Sequence, residues 1–251
     1  RAPRLLAREP AALGEAIAAA LRRDGVELLL GAEAAEARRD GDAFVVALAD
    51  GTEVRGDRLL VATGRRPRVE GIGLETVGVE PAARGIVVDD RLRAGDGLWA
   101  VGDVTGVWPF THVAKYQADV VAANILGRPR TADYAAVPRV TFTDPQAAAV
   151  GAPEDRYAGT ARLADVARTA TYSRAEADAD GFLTLVSDGE RLTGAHAVGP
   201  DAGEWLQQAT LAIRARVPLA TLVDVIQPFP TFSEVYAAAL KALAADVAAG
   251  S

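Results

Sequence analysis

Four short segments hold residue types whose spacing could do chemistry. In Leu98-Trp99-Ala100-Val101-Gly102-Asp103 an apolar run ends in a glycine and a carboxylate, and Thr111-His112 opens a helical pattern eight residues later. An Asp at a strand end can accept hydrogen bonds from a polyol hydroxyl. A helix N-terminus facing the same space adds free backbone N–H groups and a partial positive charge. Together they would hold a ligand that becomes anionic on reduction, such as a flavin. Taken singly, Asp103 reads equally well as a turn residue and Thr111 as a helix N-cap. In Val61-Ala62-Thr63-Gly64-Arg65-Arg66-Pro67 the glycine lets backbone approach a ligand and two guanidinium groups follow, although a plain turn explains it as well. Gln227-Pro228-Phe229-Pro230-Thr231-Phe232-Ser233-Glu234 is a rigid loop entering the last helix, where Ser233 suits an N-cap and Glu234 suits the helix dipole without any catalysis. Phe142-Thr143-Asp144-Pro145-Gln146 reads as a structural turn.

Other chemistries are excluded by what is missing. There is no Cys, so no disulfide, thiolate metal site or Cys nucleophile lies within these 251 residues. The two His residues, His112 and His196, have no Cys or clustered carboxylates around them, so no metal site is expected. Neither G-x-S-x-G nor G-x-x-x-x-G-K occurs. Gly95–Ala100 fits a loose G-x-G-x-x-A, but it leads into a strand instead of out of one, so it is no dinucleotide fingerprint. A net charge of −7 supplies no excess of cations for phosphates along DNA or RNA. No apolar run reaches the roughly 18–20 residues of a membrane span. The chain has 54 Ala, 25 Arg against 2 Lys, and no Met, and it opens Arg1-Ala2-Pro3. A GC-rich composition with a trimmed start explains this, and a missing upstream segment explains it as well.

The elements that must position these residues follow from periodicity. A helix is expected over residues 10–24, with Leu13, Ile17 and Leu21 on one face and Gly25 as its stop. Strands are expected at Val26–Leu30, at Ala43–Leu48 and Glu53–Arg55 around an Asp50-Gly51 turn, and at Arg58–Ala62. That order resembles the second half of a nucleotide-binding α/β unit. After a Gly- and Pro-rich stretch come strand-like Ile86–Val88 and Leu98–Val101 and a helix from His112 to Leu126. From about Val137 the pattern becomes α+β. Strands are expected at Arg139–Phe142, Ala147–Val150, Leu183–Val186 and Leu192–Val198, then helices over 202–215, 219–226 and 233–248.

In this order and spacing ATGRRP, WAVGD, THVAKYQADVVAANI, VTFTDPQAAAVG, GAHAVGPDAGEW and PFPTFSE resemble the fingerprints of the pyridine nucleotide–disulfide oxidoreductase family. Dihydrolipoamide dehydrogenase, glutathione reductase and mercuric reductase are members. The resemblance spans nearly the whole chain. It implies an α/β plus α+β architecture: a partial Rossmann-like NAD(P)-binding domain over residues 1–66, the returning segment of an FAD-binding domain over 67–135, and a C-terminal α+β dimerisation domain over 136–251. The upstream segment would carry both Gly-rich dinucleotide fingerprints and the redox Cys pair.

The resemblance also implies roles. Asp103 matches the residue that holds the flavin ribityl chain, and Gly102 gives that turn its room. Phe110, Thr111 and His112 match the stretch whose backbone meets the isoalloxazine. Gly64 and Arg65 match positions lining the nicotinamide nucleotide site, and Arg1 would lie near the adenosine ribose, within reach of a 2′-phosphate. The departure is Phe229, where disulfide-reducing members carry an acid/base His oriented by a Glu five residues on. Here the Glu is present as Glu234, but a phenyl ring carries no proton. The expectation is a cytoplasmic, homodimeric, FAD-dependent NAD(P)H oxidoreductase. Its acceptor (a quinone, a metal ion, oxygen or an unusual disulfide) would need no acid/base from this loop. The alternative is a dimerisation scaffold that has lost its cofactor. Leu206, Leu211, Ile213, Val225, Ile226, Phe229, Phe232, Val235 and Tyr236 are expected to supply, in part, a two-fold interface.

Overall fold

The computed structural model describes residues 2–166 and 181–250. They form two compact units, one of residues 1–59 with 135–251 and the other of residues 60–134. The first begins with α1 (Ala11–Arg23), which seats Leu13 and Ile17 against Ala147, Ala149 and Val198. An antiparallel ribbon follows, β1 (Ala34–Asp40), β2 (Ala43–Leu48) and β3 (Glu53–Gly56). β1 was not expected. Its sequence, AAEARRD, has no strand-like alternation and every residue is exposed. It forms because its backbone pairs with β2, helped by the ion pairs Arg38–Glu53 and Arg55–Asp40 at 2.9 Å each.

The expected strands at Val26–Leu30 and Arg58–Ala62 are not strands: both lie outside every ladder. Leu60 is 90% exposed. Buried parallel strands need neighbours on both sides and cover on both faces, and among the described residues these two segments have neither. Every strand pair described is antiparallel.

In the second unit β4 (Arg93–Gly95) and β5 (Leu98–Trp99) make a short hairpin, so the Gly95–Ala100 run is a turn between strands. Ile86–Val88 is not a strand. A 3-10 turn at Gly102–Thr105 then leads to α2 (Thr111–Ile125), which buries Val113, Gln117 and Val120.

The rest of the first unit is a five-stranded sheet in the order β6-β7-β10-β9-β8, made of β6 (Arg139–Thr141), β7 (Gln146–Gly151), β8 (Tyr157–Arg162), β9 (Phe182–Ser187) and β10 (Leu192–Gly199). β8 also escaped the sequence reading, since YAGTAR is poor in β-branched residues. It exists because α6 lies on it. A Cβ at Gly159 would fall within 2.3 Å of Leu243 N and 2.4 Å of Ala239 O.

Four helices cover this face: α3 (Ala202–Trp205), α4 (Gln207–Arg214), α5 (Leu219–Val223) and α6 (Val235–Ala249). The single helix expected over 202–215 is broken at Leu206 by a buried hydroxyl. Ala209 N–H donates to Tyr236 Oη at 3.3 Å, and that hydroxyl donates to Trp205 O at 3.1 Å. The phenol thus stands between a donor and an acceptor that a continuous helix would join directly.

The opposite face carries Ala147, Ala149, His196 and Val198 toward the N-terminal segment. Arg139, Ala149 and His196 lie in one cross-strand row. Glu9, just ahead of α1, grips Arg139 in a bidentate pair at 2.7 and 2.9 Å. His196 is buried, meets Phe182 edge-to-face at 6.1 Å, and its Nδ1 has no hydrogen-bond partner among the described residues. Burial pushes its pKa down to about 4, against a smaller upward pull from Glu9.

Candidate functional site

In the second unit, β5 runs through the buried Ala100 into a turn that only glycine makes cheaply. Gly102 has φ +79°, and an added Cβ would press on Ala114 Cβ of α2 at 3.4 Å. Its N–H donates to Gln117 Oε1 at 2.6 Å, and Gln117 Nε2 donates to Tyr134 Oη at 3.0 Å. Thr105 Oγ1 closes the turn by donating to Gly102 O at 2.8 Å. The fully buried Gln117 therefore fixes the position of Asp103 from behind. Burial raises the pKa of Tyr134, partly offset by the Gln117 bond. In the sequence, helical spacing sets Gln117 on one face with Val113 and Val120. A lone amide in an apolar stripe was the available signal for its bond to Gly102.

Asp103 itself faces outward. Arg65 Nη1 meets its Oδ2 at 2.9 Å, and Arg65 Nη2 donates to Pro109 O at 3.2 Å. Gly64, just before, has φ +115° and open space where a Cβ would stand. Arg65 and Asp103, expected at two different ligands, are thus in direct contact. Phe110 is the extended residue at the start of α2, and no side chain caps the helix there. Thr111 is consequently the first helical residue and not an N-cap. An α-helix leaves the N–H groups of its first turn without partners inside the helix. The rings of Trp108, Phe110 and His112 stack one after another, an arrangement the sequence reading missed.

Phe229 and Glu234 belong to the other unit. Phe229 is 69% exposed. Glu234 ends a 3-10 turn, Phe232–Glu234, whose N-terminal flank is Thr231, so Ser233 is not the cap. Glu234 Oε2 and Gln227 Nε2 are buried without a hydrogen-bond partner among the described residues. Arg1 lies outside the described residues. No group of three or more His, Asp or Glu that could hold a metal ion occurs among the described residues, and no helix there is long and apolar enough to cross a membrane.

Residues 1–118 match the family model of the pyridine nucleotide-disulphide oxidoreductases, and residues 137–240 match that family's dimerisation domain. The chain belongs to this family. A mercuric reductase of Acidithiobacillus ferrooxidans is 38% identical over 97% of the chain and 46% of the relative. A dihydrolipoyl dehydrogenase of Corynebacterium glutamicum is 36% identical over 92% of the chain and 53% of the relative. Among solved structures, LpdA from Mycobacterium tuberculosis superimposes with a TM-score of 0.82 at 26% identity, over 93% of this chain and 53% of that one. A Cu(II) complex of the HOCl-induced flavoprotein disulfide reductase RclA from Escherichia coli gives 0.85 at 28% identity, over 96% and 56%. The chain spans about half the length of the curated relatives it matches. The family is FAD- and NAD(P)H-dependent in general.

Proposed function

We propose that the protein containing this chain is a homodimeric FAD-dependent NAD(P)H oxidoreductase whose acceptor takes no proton from the PFPTFSE loop. The observation that carries the flavin reading is the convergence, in one unit, of three features. These are an outward carboxylate at Asp103, a glycine turn at Gly102 braced by buried Gln117, and a helix α2 that no side chain caps. These residues fit FAD: Asp103 would accept from ribityl hydroxyls, and the N–H groups at the start of α2 would face the part of the ring that gains charge. Bound FAD would supply two-electron chemistry between NAD(P)H and an acceptor. The Arg65–Asp103 pair is exposed and worth at most about 1 kcal/mol, so it yields readily to a ligand hydroxyl. Gly64 and Arg65 would then line the nicotinamide nucleotide site.

Within this reading residues 1–66 serve the nicotinamide nucleotide, 67–135 the flavin, and 136–251 the dimer. Exposed Leu211, Val225, Ile226 and Phe229 are the apolar surface for that dimer, whereas Leu206, Ile213, Val235 and Tyr236 are spent in the subunit core. Phe229 leaves Glu234 with no imidazole at that position to orient, which argues against dithiol turnover.

Purified protein should be yellow, release FAD on denaturation, and bleach when NADH or NADPH is added without oxygen. Protein that takes up no FAD overturns the reading. Asp103→Ala should weaken FAD binding by about 10- to 100-fold, the loss of a charged hydrogen bond worth about 1.5–3 kcal/mol; an equilibrium titration with FAD measures it.

A further inference from the structure

A cavity of about 240 Å³ lies in the second unit, lined by Asp89, Asp90, Arg91, Arg93, Trp99 and Asn124. Its walls are fixed by hydrogen bonds. Asp89 Oδ1 accepts from the N–H groups of Arg91 at 2.9 Å and Arg93 at 2.8 Å. Leu92 between them has φ +65°, a left-handed backbone that a bulky residue adopts under strain. Its buried side chain holds it there, as do its N–H bond to Asp89 O and the Ala100 N–H bond to its own carbonyl. Asn124, in the last turn of α2, donates to Val120 O at 3.0 Å and Arg130 O at 2.7 Å and accepts from Arg130 N–H at 3.1 Å. Ala132 N–H donates to Asp90 O at 2.7 Å, which ties the turn to the chain leaving that helix. Thr111 and Asn124 stand at opposite ends of α2, about 20 Å apart, so the cavity is separate from the helix start assigned to flavin.

What these walls leave unused is charge. Among the described residues neither Arg91 nor Arg93 forms an ion pair, and the Arg93 guanidinium lies over the Trp99 ring at 5.5 Å. The Asp90 carboxylate has no hydrogen-bond partner there either. Two guanidiniums and two carboxylates around one cavity sum to zero, so a simple anion loses to the carboxylates what it gains from the arginines. A dipolar occupant satisfies both signs. We propose that this cavity binds a small zwitterion of the α-amino acid class, its carboxylate on Arg91 and Arg93 and its ammonium on Asp90. Guanidinium N–H groups take a carboxylate in pairs, and an ionised Asp accepts from an ammonium. Trp99 gives the ligand's side chain an apolar wall. The volume is below the roughly 300–1,000 Å³ of drug-sized pockets, which suits a single amino acid and not a peptide. No bond is made or broken, and neither FAD nor NAD(P)H takes part, so the inference goes beyond the oxidoreductase reading and stands or falls without it.

Calorimetry of the whole chain with L-alanine and L-leucine tests it. Saturable one-to-one binding is expected. N-acetyl-L-leucine, which lacks the ammonium, and L-leucinamide, which lacks the carboxylate, should each bind about tenfold more weakly than leucine or worse. Asp90→Asn should weaken leucine by about tenfold and N-acetyl-L-leucine hardly at all, whereas Arg91→Gln should weaken both. Arg84→Gln, outside the cavity, should change neither. No saturable binding of either amino acid to the unaltered chain overturns the proposal. So does equal affinity for leucine and its N-acetyl form, or binding of inorganic phosphate that Asp90→Asn leaves unchanged, because either result makes the cavity an anion site. The comparison of ligands uses the unaltered chain, so it decides the matter even where a variant fails to fold.

Discussion

Two buried polar side chains show how single residues set the backbone around them. Gln117 joins Gly102 to Tyr134, and Tyr236 joins Ala209 to Trp205. Gln117→Leu should lower stability by about 2–3 kcal/mol, because it buries the Gly102 N–H without an acceptor; chemical denaturation of the purified chain measures it. Tyr236→Phe should cost about 1–3 kcal/mol unless α3 and α4 fuse so that Ala209 N–H reaches Trp205 O directly. A crystal structure of that variant would show which. The types of Asp103, Arg65 and Glu234 were legible as chemistry-bearing in the sequence. That Arg65 sits on Asp103 was not, because a contact between residues 38 apart depends on how the intervening chain folds.

At the scale of elements, the joint between α1 and the five-stranded sheet has a pH dependence of known sign. His196 titrates near 4 in the fold and near 6.5 when unfolded. The unfolded chain therefore binds more protons between those values, and stability is full above about pH 6.5 and falls as pH drops toward 4. The loss approaches roughly 3 kcal/mol on the usual scale of 1.36 kcal/mol per pKa unit. Around the ring stand Glu9, which opposes the shift, and Arg139, which Glu9 already pairs. His196→Leu should flatten the melting temperature between pH 6.5 and 4; an unchanged slope would place the acid lability elsewhere. Gly159→Ala should destabilise by about 1–3 kcal/mol, since α6 leaves no volume for a methyl group on β8. Helices α1, α2 and α6 were readable from their apolar spacing. The edge strands β1 and β8 were not, because their residues have weak strand preference and are held by partners distant in sequence.

At the scale of the whole molecule, Ile226 is 94% exposed beside Val225 and Phe229 on the domain that matches the family's dimerisation model. Ile226→Glu should weaken self-association by about 100-fold or more, because an unpaired carboxylate would have to be buried. Ile125→Glu, exposed but in the other unit, should leave it unchanged. Sedimentation velocity over a concentration series distinguishes the two.

The sequence by itself determined the family, because six motifs in order are local strings that need no fold to be read. It also determined that position 229 carries a phenyl ring and no proton donor, which is a matter of residue type. Only the tertiary structure decided which apolar residues remain at the surface. Leu206 and Ile226 are equally hydrophobic, and one is buried beneath the sheet's helices while the other stands in solvent. Only it, too, brought Trp108, Phe110 and His112 into a column beside Arg65. Ring stacking depends on backbone angles such as the +44° at Trp108, and neither composition nor periodicity encodes them.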